Sequence, residues 1–476
     1  MVGIIGIIIA LALFLVLVYK GWSSYWVAPI CAIIVGIFNL MKPADIIGSY
    51  VGGVVDLISS LFFIVFFGAI LGKVYNDSGA AAAIAKTLTN KLVIKSSGNK
   101  QVRLGVLVIL VVSALCTMGG IDGYVLTFTL IPICFVMCEM LDIPRRFIGG
   151  MMVLNCAFMA CPGAPQIDNI MARAAVMSEA YNENGAFIGD AAMSGFSVSS
   201  TSAAIPGIVS TAFIAICGYF VLCNFIIKAK AKGEHFEWGS VQKREEDDRK
   251  LPNFFVALLP LITVFVLYTL IPAITGVEID IAIALGLGIV VALLTMARNL
   301  PFKRGEKGAL GRSILKTLNI GSEGFAGAMF TLCMPSALAG VVTASAGFGV
   351  VVAFLAGINI SPIALVLIAV CVLVAITSSP PAALMIAVPV VMNIMLGQGF
   401  LPSEVLDMSP AIMRVSAIAA TTFETLPING LIILTLKLIG CSHKEAYKPM
   451  FLQSVLFTLG GAIIATVLIV LFPALA

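Results

Sequence analysis

Gly68-Ala-Ile-Leu-Gly-Lys-Val-Tyr-Asn-Asp-Ser-Gly79 is echoed by Ser336-Ala-Leu-Ala-Gly-Val-Val-Thr-Ala-Ser-Ala-Gly347. Aligned without gaps, Ala69, Gly72, Val74 and Gly79 fall on Ala337, Gly340, Val342 and Gly347. Glycine, alanine and valine are common in this chain, so the order of the segments after each copy is the better evidence. Both copies lead to an apolar helix interrupted by small residues and ending in a β-branched residue plus proline. These stretches are Met118-Gly-Gly-Ile-Asp-Gly123 to Ile131-Pro132, and Thr377-Ser-Ser-Pro-Pro381 to Val388-Pro389. A third polar break comes next in each half, Cys161-Pro-Gly-Ala-Pro-Gln-Ile-Asp-Asn169 and Thr421-Thr-Phe-Glu-Thr-Leu-Pro-Ile-Asn429. Interrupted apolar segments in corresponding positions of two halves point to the binding site of a secondary transporter. Duplication without function leaves the same trace.

Composition fixes the solvent. Of 476 residues 60% are hydrophobic and 11% charged, with a mean hydropathy of +1.11, whereas soluble domains carry about 25% charge. Many apolar runs reach the roughly 20 residues that cross a bilayer as a helix. Such long runs differ from the short alternating segments of an outer-membrane barrel. Backbone groups in lipid must be satisfied within the chain, so a helix bundle is expected. The expected fold is an all-α polytopic membrane protein of roughly a dozen segments, with broken helices, re-entrant hairpins and two related halves. An odd number of crossings per half would invert one half relative to the other. The apolar stretch from Val2 to Tyr19 lacks a basic leader and reads as a retained span.

The halves divide as 1–227 and 253–476, joined by a charged linker at 228–252 that includes Lys228, Lys230, Lys232, Lys243, Arg244, Arg249 and Lys250. A solvated cytoplasmic segment is the simplest reading. Basic residues also collect at 86–103 and 298–316, as the positive-inside rule requires. The net charge of +4 therefore follows from topology, and no basic surface interleaved with aromatics points to nucleic acid. The 11 cysteines lie scattered in apolar runs and read as packing. With His235 and His443 as its only histidines, and both in polar connections, the chain is expected to hold no metal. Neither is another cofactor expected. Walker A, HExxH and GxSxG patterns are missing, so neither direct ATP use nor hydrolase chemistry is expected.

Intramembrane carboxylates are costly, at about 2.5–3.5 kcal/mol on the insertion scale, and default to function. Asp56, Asp122, Asp168 and Glu424 stand out. Asp56 has two readings, an interfacial residue and a functional one. Asp122, between Gly120 and Gly123, suits an unwound backbone lining a cavity and equally a tight turn. Glu424 sits where Pro427 breaks a helix, and Gln166, Asp168 and Asn169 occupy the matching break; caps and turns would use the same residues. Ser378-Ser379 before Pro380 offers a helix start that favours an anion. Asp77 or Ser78 is a good N-cap for the alanine-rich segment after it, and Glu323 resembles another helix-start cap. Arg173 and Arg414 are the cations near the breaks, suited to pairing a carboxylate or to snorkelling outward.

Gly68-Ala-Ile-Leu-Gly72, leading to Asp77-Ser-Gly-Ala80 and an alanine-rich helix, resembles the signature of the gluconate permease family. The runs Gly123–Pro132 and Gly340–Gly347 are similar to that family too, and the likeness extends over most of the chain. Gluconate-type members carry a His-Val-Asn-Asp-Ser-Gly-like motif toward the C-terminal end. The comparable region here, Thr422-Phe-Glu-Thr-Leu-Pro-Ile-Asn-Gly430 followed by Leu438-Ile-Gly-Cys-Ser-His-Lys-Glu-Ala-Tyr-Lys448, looks more like the 3-hydroxybutyrate permease branch. The resemblance implies a proton-coupled uptake permease for small hydroxy acids within the ion transporter superfamily, with inverted repeats, re-entrant hairpins and dimers. It carries Pro427, Asn429 and Gly430 over as a break beside the site.

The expectation is thus a transporter in a bacterial inner membrane, contacting lipid, with a small carboxylate as substrate. Gly119, Gly120, Asp122, Asn169, Ser378, Ser379, Thr421, Thr422 and Asn429 are expected to bind it. Asp122, Glu424 and Asp168 are the candidates for carrying a coupling proton. Sodium coupling stays open, because hydroxyls and carbonyls suit that ion as well; a passive channel is a further class.

Overall fold

The computed structural model describes residues 2–20, 22–80, 82–84, 86–87, 96–121, 123–177, 198–239, 251–277, 279–302, 306, 308–358, 360–377, 380–427 and 429–475. Every regular element among them is a helix. The first half holds α1 (Val2–Tyr19), α2 (Ser24–Phe38), α3 (Pro43–Ser78), α4 (Gly98–Met118), α5 (Gly123–Leu141), α6 (Ile148–Met152), α7 (Cys156–Met159), α8 (Ile167–Val176) and α9 (Ala204–Ala231). The second half holds α10 (Phe254–Phe265), α11 (Ile271–Thr275), α12 (Ile281–Met296), α13 (Ala309–Thr343), α14 (Ala346–Ala356), α15 (Pro362–Thr377), α16 (Pro380–Gly397), α17 (Pro402–Asp407), α18 (Ser409–Ala420), α19 (Gly430–Ile439), α20 (His443–Phe451) and α21 (Phe457–Leu471).

Local chemistry sets many of these ends. Ser23, Asn253, Asp280 and Asn429 cap helix starts through their side chains. Pro43 opens α3, and Gly79, at φ +72°, closes it by sending its N–H to Tyr75 and Asn76 carbonyls. The segment after Gly79 is therefore not capped by Asp77 or Ser78, as the sequence led us to expect. Asp77 lies inside α3, where it pairs with Lys73 at 2.7 Å and accepts from the Thr317 hydroxyl at 2.9 Å. Glu323 is no helix-start cap either, since it lies in the middle of α13. That helix begins at Ala309, so Arg312 and Lys316 belong to a helix and not to a basic loop.

Among the described residues, five helices are long and apolar enough to cross a membrane: Gly98–Met118, Ala204–Ala231, Ile281–Asn299, Pro380–Gly397 and His443–Leu471. A sixth is α3, if its Pro43–Ser59 and Phe62–Ser78 stretches, bent by 56°, count as one span. Five shorter apolar helices accompany them. Large apolar side chains such as Ile208, Ile216, Phe220, Ile463 and Val467 face outward, as lipid contact demands. The protein is a multi-pass membrane protein.

The two longest helices, α3 and α13, pack along each other. They run antiparallel: Asp77 near the end of α3 meets Thr317 near the start of α13, while Tyr50 near the start of α3 meets Met334 further along α13. Gly340 has no room for a side chain, because a Cβ there would fall on the Ser49 carbonyl and Gly53 Cα. Around this pair the contacts are reciprocal. Helix α2 packs on α13 and α12 packs on α3. Asn39, after α2, accepts from the Gly347 N–H at 2.7 Å, and Met296, ending α12, meets Ser78. Likewise α5 packs on α19 while α16 packs on α8, and α9 packs on α21.

The start of the linker is pinned to the end of α5. Arg146 grips Glu234 with two bonds of 2.9 Å, and Trp238 stacks on Phe135. Asp142 accepts from the Phe236 N–H and pairs with His235. Those two contacts, the backbone one foremost, hold its carboxyl below the ordinary value. Residues 240–250 lie outside the described part.

Candidate functional site

Gly119, Gly120 and Ile121 form a turn and not an interruption of one continuous span. Helices α4 and α5 fold back on each other, with Leu141 and Met137 of α5 against Gly105 of α4. The Gly119, Gly120 and Ile121 N–H groups close the end of α4 on Leu115, Thr117 and Cys116 carbonyls, with Gly120 at φ +80°. A left-handed residue at a helix end favours glycine. Asp122 itself lies outside the described residues, as do Ser378 and Ser379.

This tip touches the first-half break. Gln166 donates through Nε2 to the Thr117 carbonyl at 2.6 Å and, more weakly, to Ile121 at 3.4 Å. A Cβ on Gly120 would meet Pro165. The Thr117 hydroxyl is buried here without a hydrogen-bond partner among the described residues. Across the tip, Gly123 lies beside Asn155 and beside Leu431 of α19. The turn between α4 and α5 thereby reaches the start of the helix that succeeds the second-half break.

Both polar breaks are buried. Asp168, Asn169, Thr421, Thr422, Glu424 and Asn429 are all inside the chain. The Cys156 thiol feels the charge of both Glu424 and Asp168, one carboxylate from each half. The two asparagines play different parts, although the sequence made them counterparts. Asn429 caps α19, accepting from the Leu431 N–H at 2.7 Å. Asn169 lies inside α8 and donates to Met159, Cys161 and Ala164 carbonyls. Thr421 and Thr422 donate to Ile418 and Ala419 carbonyls one turn back, leaving their oxygens able to accept. Thr422 also meets the Cys371 thiol of α15 at 3.4 Å.

Arg414 is fully buried and its donors go to the chain itself. It reaches the Ser202, Ala160 and Ser200 carbonyls and the Asn169 side-chain oxygen at 2.6–3.1 Å. Arg173 donates to the Val198 carbonyl. In this conformation Arg414 ties the second half to the first-half break and does not snorkel to the surface.

Sequence reasoning passed over Asn155, buried beside the tip, and Gln453 with Ser454, buried in a π-helical turn at Leu452–Leu456 that faces Thr425. A filter for neutral amides in apolar runs, rather than for carboxylates alone, would have found Asn155 and Gln453. π-Turns inside helices frequently mark functional positions.

No protein-family model matches the chain. It is 25% identical to an uncharacterized transporter of Bacillus subtilis (strain 168), YxjC, across 94% of this chain and 95% of that protein. It is 32% identical to the high-affinity gluconate transporter of Escherichia coli (strain K12), over 30% of either chain. The Gnt-II system L-idonate transporter of the same organism is 29% identical over 32% of this chain and 33% of its own. Among solved structures, the YdaH transporter of Alcanivorax borkumensis matches 90% of this chain and 89% of its own, at a TM-score of 0.51 and 15% identity. That likeness is one of fold. The chain is accordingly a membrane transporter and not an enzyme, with a small molecule as its substrate.

Proposed function

We propose that this protein is a secondary active transporter in a bacterial inner membrane that imports a small hydroxy acid, of the gluconate or 3-hydroxybutyrate kind, together with a proton. The observation that carries the reading is the meeting of the α4–α5 tip with the first-half break and with the helix that follows the second-half break. Helix starts at Ile167, Pro380 and Gly430 offer positive dipole ends to a carboxylate. Gly119, Gly120, Asn169, Thr421, Thr422 and Asn429 would form the substrate site, with Asp122, Ser378 and Ser379 from outside the described residues. The buried Thr117 hydroxyl is a further group for a substrate to satisfy. The gluconate and idonate transporters that match parts of the chain favour a sugar-acid-like substrate.

Two inverted repeats, of roughly a dozen segments in all, are part of the proposal, divided at 228–252. Antiparallel packing of α3 on α13 supports it, because inverted equivalents must run in opposite directions. Reciprocal pairs such as Asn39 with Gly347 and Met296 with Ser78 support it as well. A homodimer in the membrane belongs to the same reading through the family resemblance.

Taking an anion into a negative cell costs about 2.3 kcal/mol per 100 mV, and one proton per anion removes that cost. Glu424, Asp168 and Asp122 are the carboxylates proposed to carry it. Reconstituted protein should take up labelled 3-hydroxybutyrate or gluconate faster under an inward proton gradient. Uptake indifferent to protons but accelerated by sodium would replace the proton with that ion. Glu424→Gln should abolish the acceleration, and a variant accelerated like the parent would remove Glu424 from the set.

A further inference from the structure

Two buried hydroxyls on α4 make no hydrogen bond. Ser113 and Thr117 stand one turn apart, 0% and 1% exposed, and neither oxygen has a partner among the described residues. A hydroxyl inside a helix can bond the carbonyl one turn back. Thr127, Thr458 and Thr466, also buried, do so to Gly123, Ser454 and Ala462 carbonyls at 2.7–2.9 Å. Ser113 and Thr117 forgo that bond, and a buried polar group without one calls for an explanation.

Helix geometry gives their direction. Leu110, Ser113 and Thr117 fall at i, i+3 and i+7, on one stripe of α4. Leu110 packs on the small core of Ala157, Ile214 and Ala215. Helix α4 also packs on the 3-10 turn Val153–Asn155 and on α7, which follows it. The stripe therefore faces the broken segment 153–159, where Cys156 feels the charge of Glu424 and Asp168. Thr117 lies at the tip end of the stripe, and its carbonyl takes the bond from Gln166, the residue before α8. Ser113 lies about 5.4 Å, one turn, further from the tip.

We propose that Thr117 and Ser113 are specificity-determining residues that read successive hydroxyl groups of the transported acid. This rests on the hydroxy-acid reading of the protein. The substrate carboxylate sits at the positive end of α8, beside Thr117, with its carbon chain laid along the α4 stripe. Asp168, in the first turn of α8, is one of the proposed proton carriers, and a proton on it removes the repulsion between two carboxylates. A hydroxyl both donates and accepts, so it pairs with a substrate hydroxyl in either sense. An acid with one hydroxyl satisfies Thr117 alone, and a chain hydroxylated on several carbons satisfies both. The two oxygens are closed off from solvent here. The substrate reaches them when segment 153–159 shifts, and a 3-10 turn joined to a four-residue helix has few internal hydrogen bonds to hold it.

The test uses reconstituted vesicles with labelled gluconate and labelled 3-hydroxybutyrate, because KM does not depend on the amount of folded protein. Ser113→Ala should raise KM for gluconate about three- to tenfold, the loss of one hydrogen bond, and more than it raises KM for 3-hydroxybutyrate. Thr117→Val should raise both, and Thr117→Ser should restore them. Parental KM values in Ser113→Ala and Thr117→Val would overturn the assignment and leave the transporter reading standing. Equal rises for the two acids in Ser113→Ala, or a parent that carries 3-hydroxybutyrate but not gluconate, would overturn the reading of a second hydroxyl. A parent that carries neither acid would overturn the hydroxy-acid reading, and this inference with it. Thermal unfolding in detergent is the second measurement. Removing a hydroxyl that the fold does not bond should leave the midpoint unchanged or raise it, and a lowered midpoint would overturn the site.

Discussion

Arg414 shows how far one side chain can bind two halves together. A guanidinium presents five donors in a rigid fork, and here they meet three backbone carbonyls and the Asn169 oxygen, all in the first half. Such bonds from a charged donor are worth about 1.5–3 kcal/mol each. Lysine, with three donors on a single nitrogen, cannot span acceptors spread over Ala160, Asn169, Ser200 and Ser202. Arg414→Lys should therefore lose about 3 kcal/mol or more of stability, read as a lower thermal unfolding midpoint in detergent. Unfolding at the parent's temperature would mean the strut carries no weight. Residue chemistry alone left Arg414 open to pairing a substrate or snorkelling, because a sequence does not say which carbonyls a buried cation will find.

At the scale of elements, the crossing of α3 and α13 depends on small residues. A Cβ at Gly340 would meet backbone, the Ser49 carbonyl and Gly53 Cα, which cannot swing aside as a side chain can. Gly324, in the interior of the same helix, has open space around it. Gly340→Ala should destabilise by about 1–3 kcal/mol, whereas Gly324→Ala should be neutral or gain up to about 1 kcal/mol from helix propensity. Thermal unfolding of the two variants in one detergent gives the comparison, and equal behaviour would refute the close crossing. The echo around Gly340 and Gly72 was visible in the sequence. Its meaning was not, since the repeated glycines serve the packing of helix on helix and a helix end, while the polar chemistry lies in the breaks beyond.

Across the whole molecule, the polar connections gather at one end. The linker start is held on residues 139–147, Leu251 lies against Gly79, and Asp77 meets Thr317. In the proposed topology the positive-inside rule would put that end in the cytoplasm. Leu40, almost fully exposed before α3, belongs to the opposite end, beside Asn39 and Gly347. In a cysteine-depleted background, Leu40→Cys should be labelled by an impermeant maleimide on intact cells, and Glu306→Cys only in inside-out membranes. Labelling of both from the same side would reject inverted halves.

Composition and helix-breaking residues by themselves determined that the chain lives in a membrane, that it is helical, and where its breaks fall, because these follow from hydropathy and local backbone preference. The placing of Thr421 and Glu424 in a buried break was legible too. Tertiary structure alone decided that the chain turns back after Gly119 and Gly120, that Gln166 reaches that turn, and that Arg414 is consumed by the chain. Those are contacts between residues tens to hundreds of positions apart, and periodicity along a chain carries no record of which helix faces which.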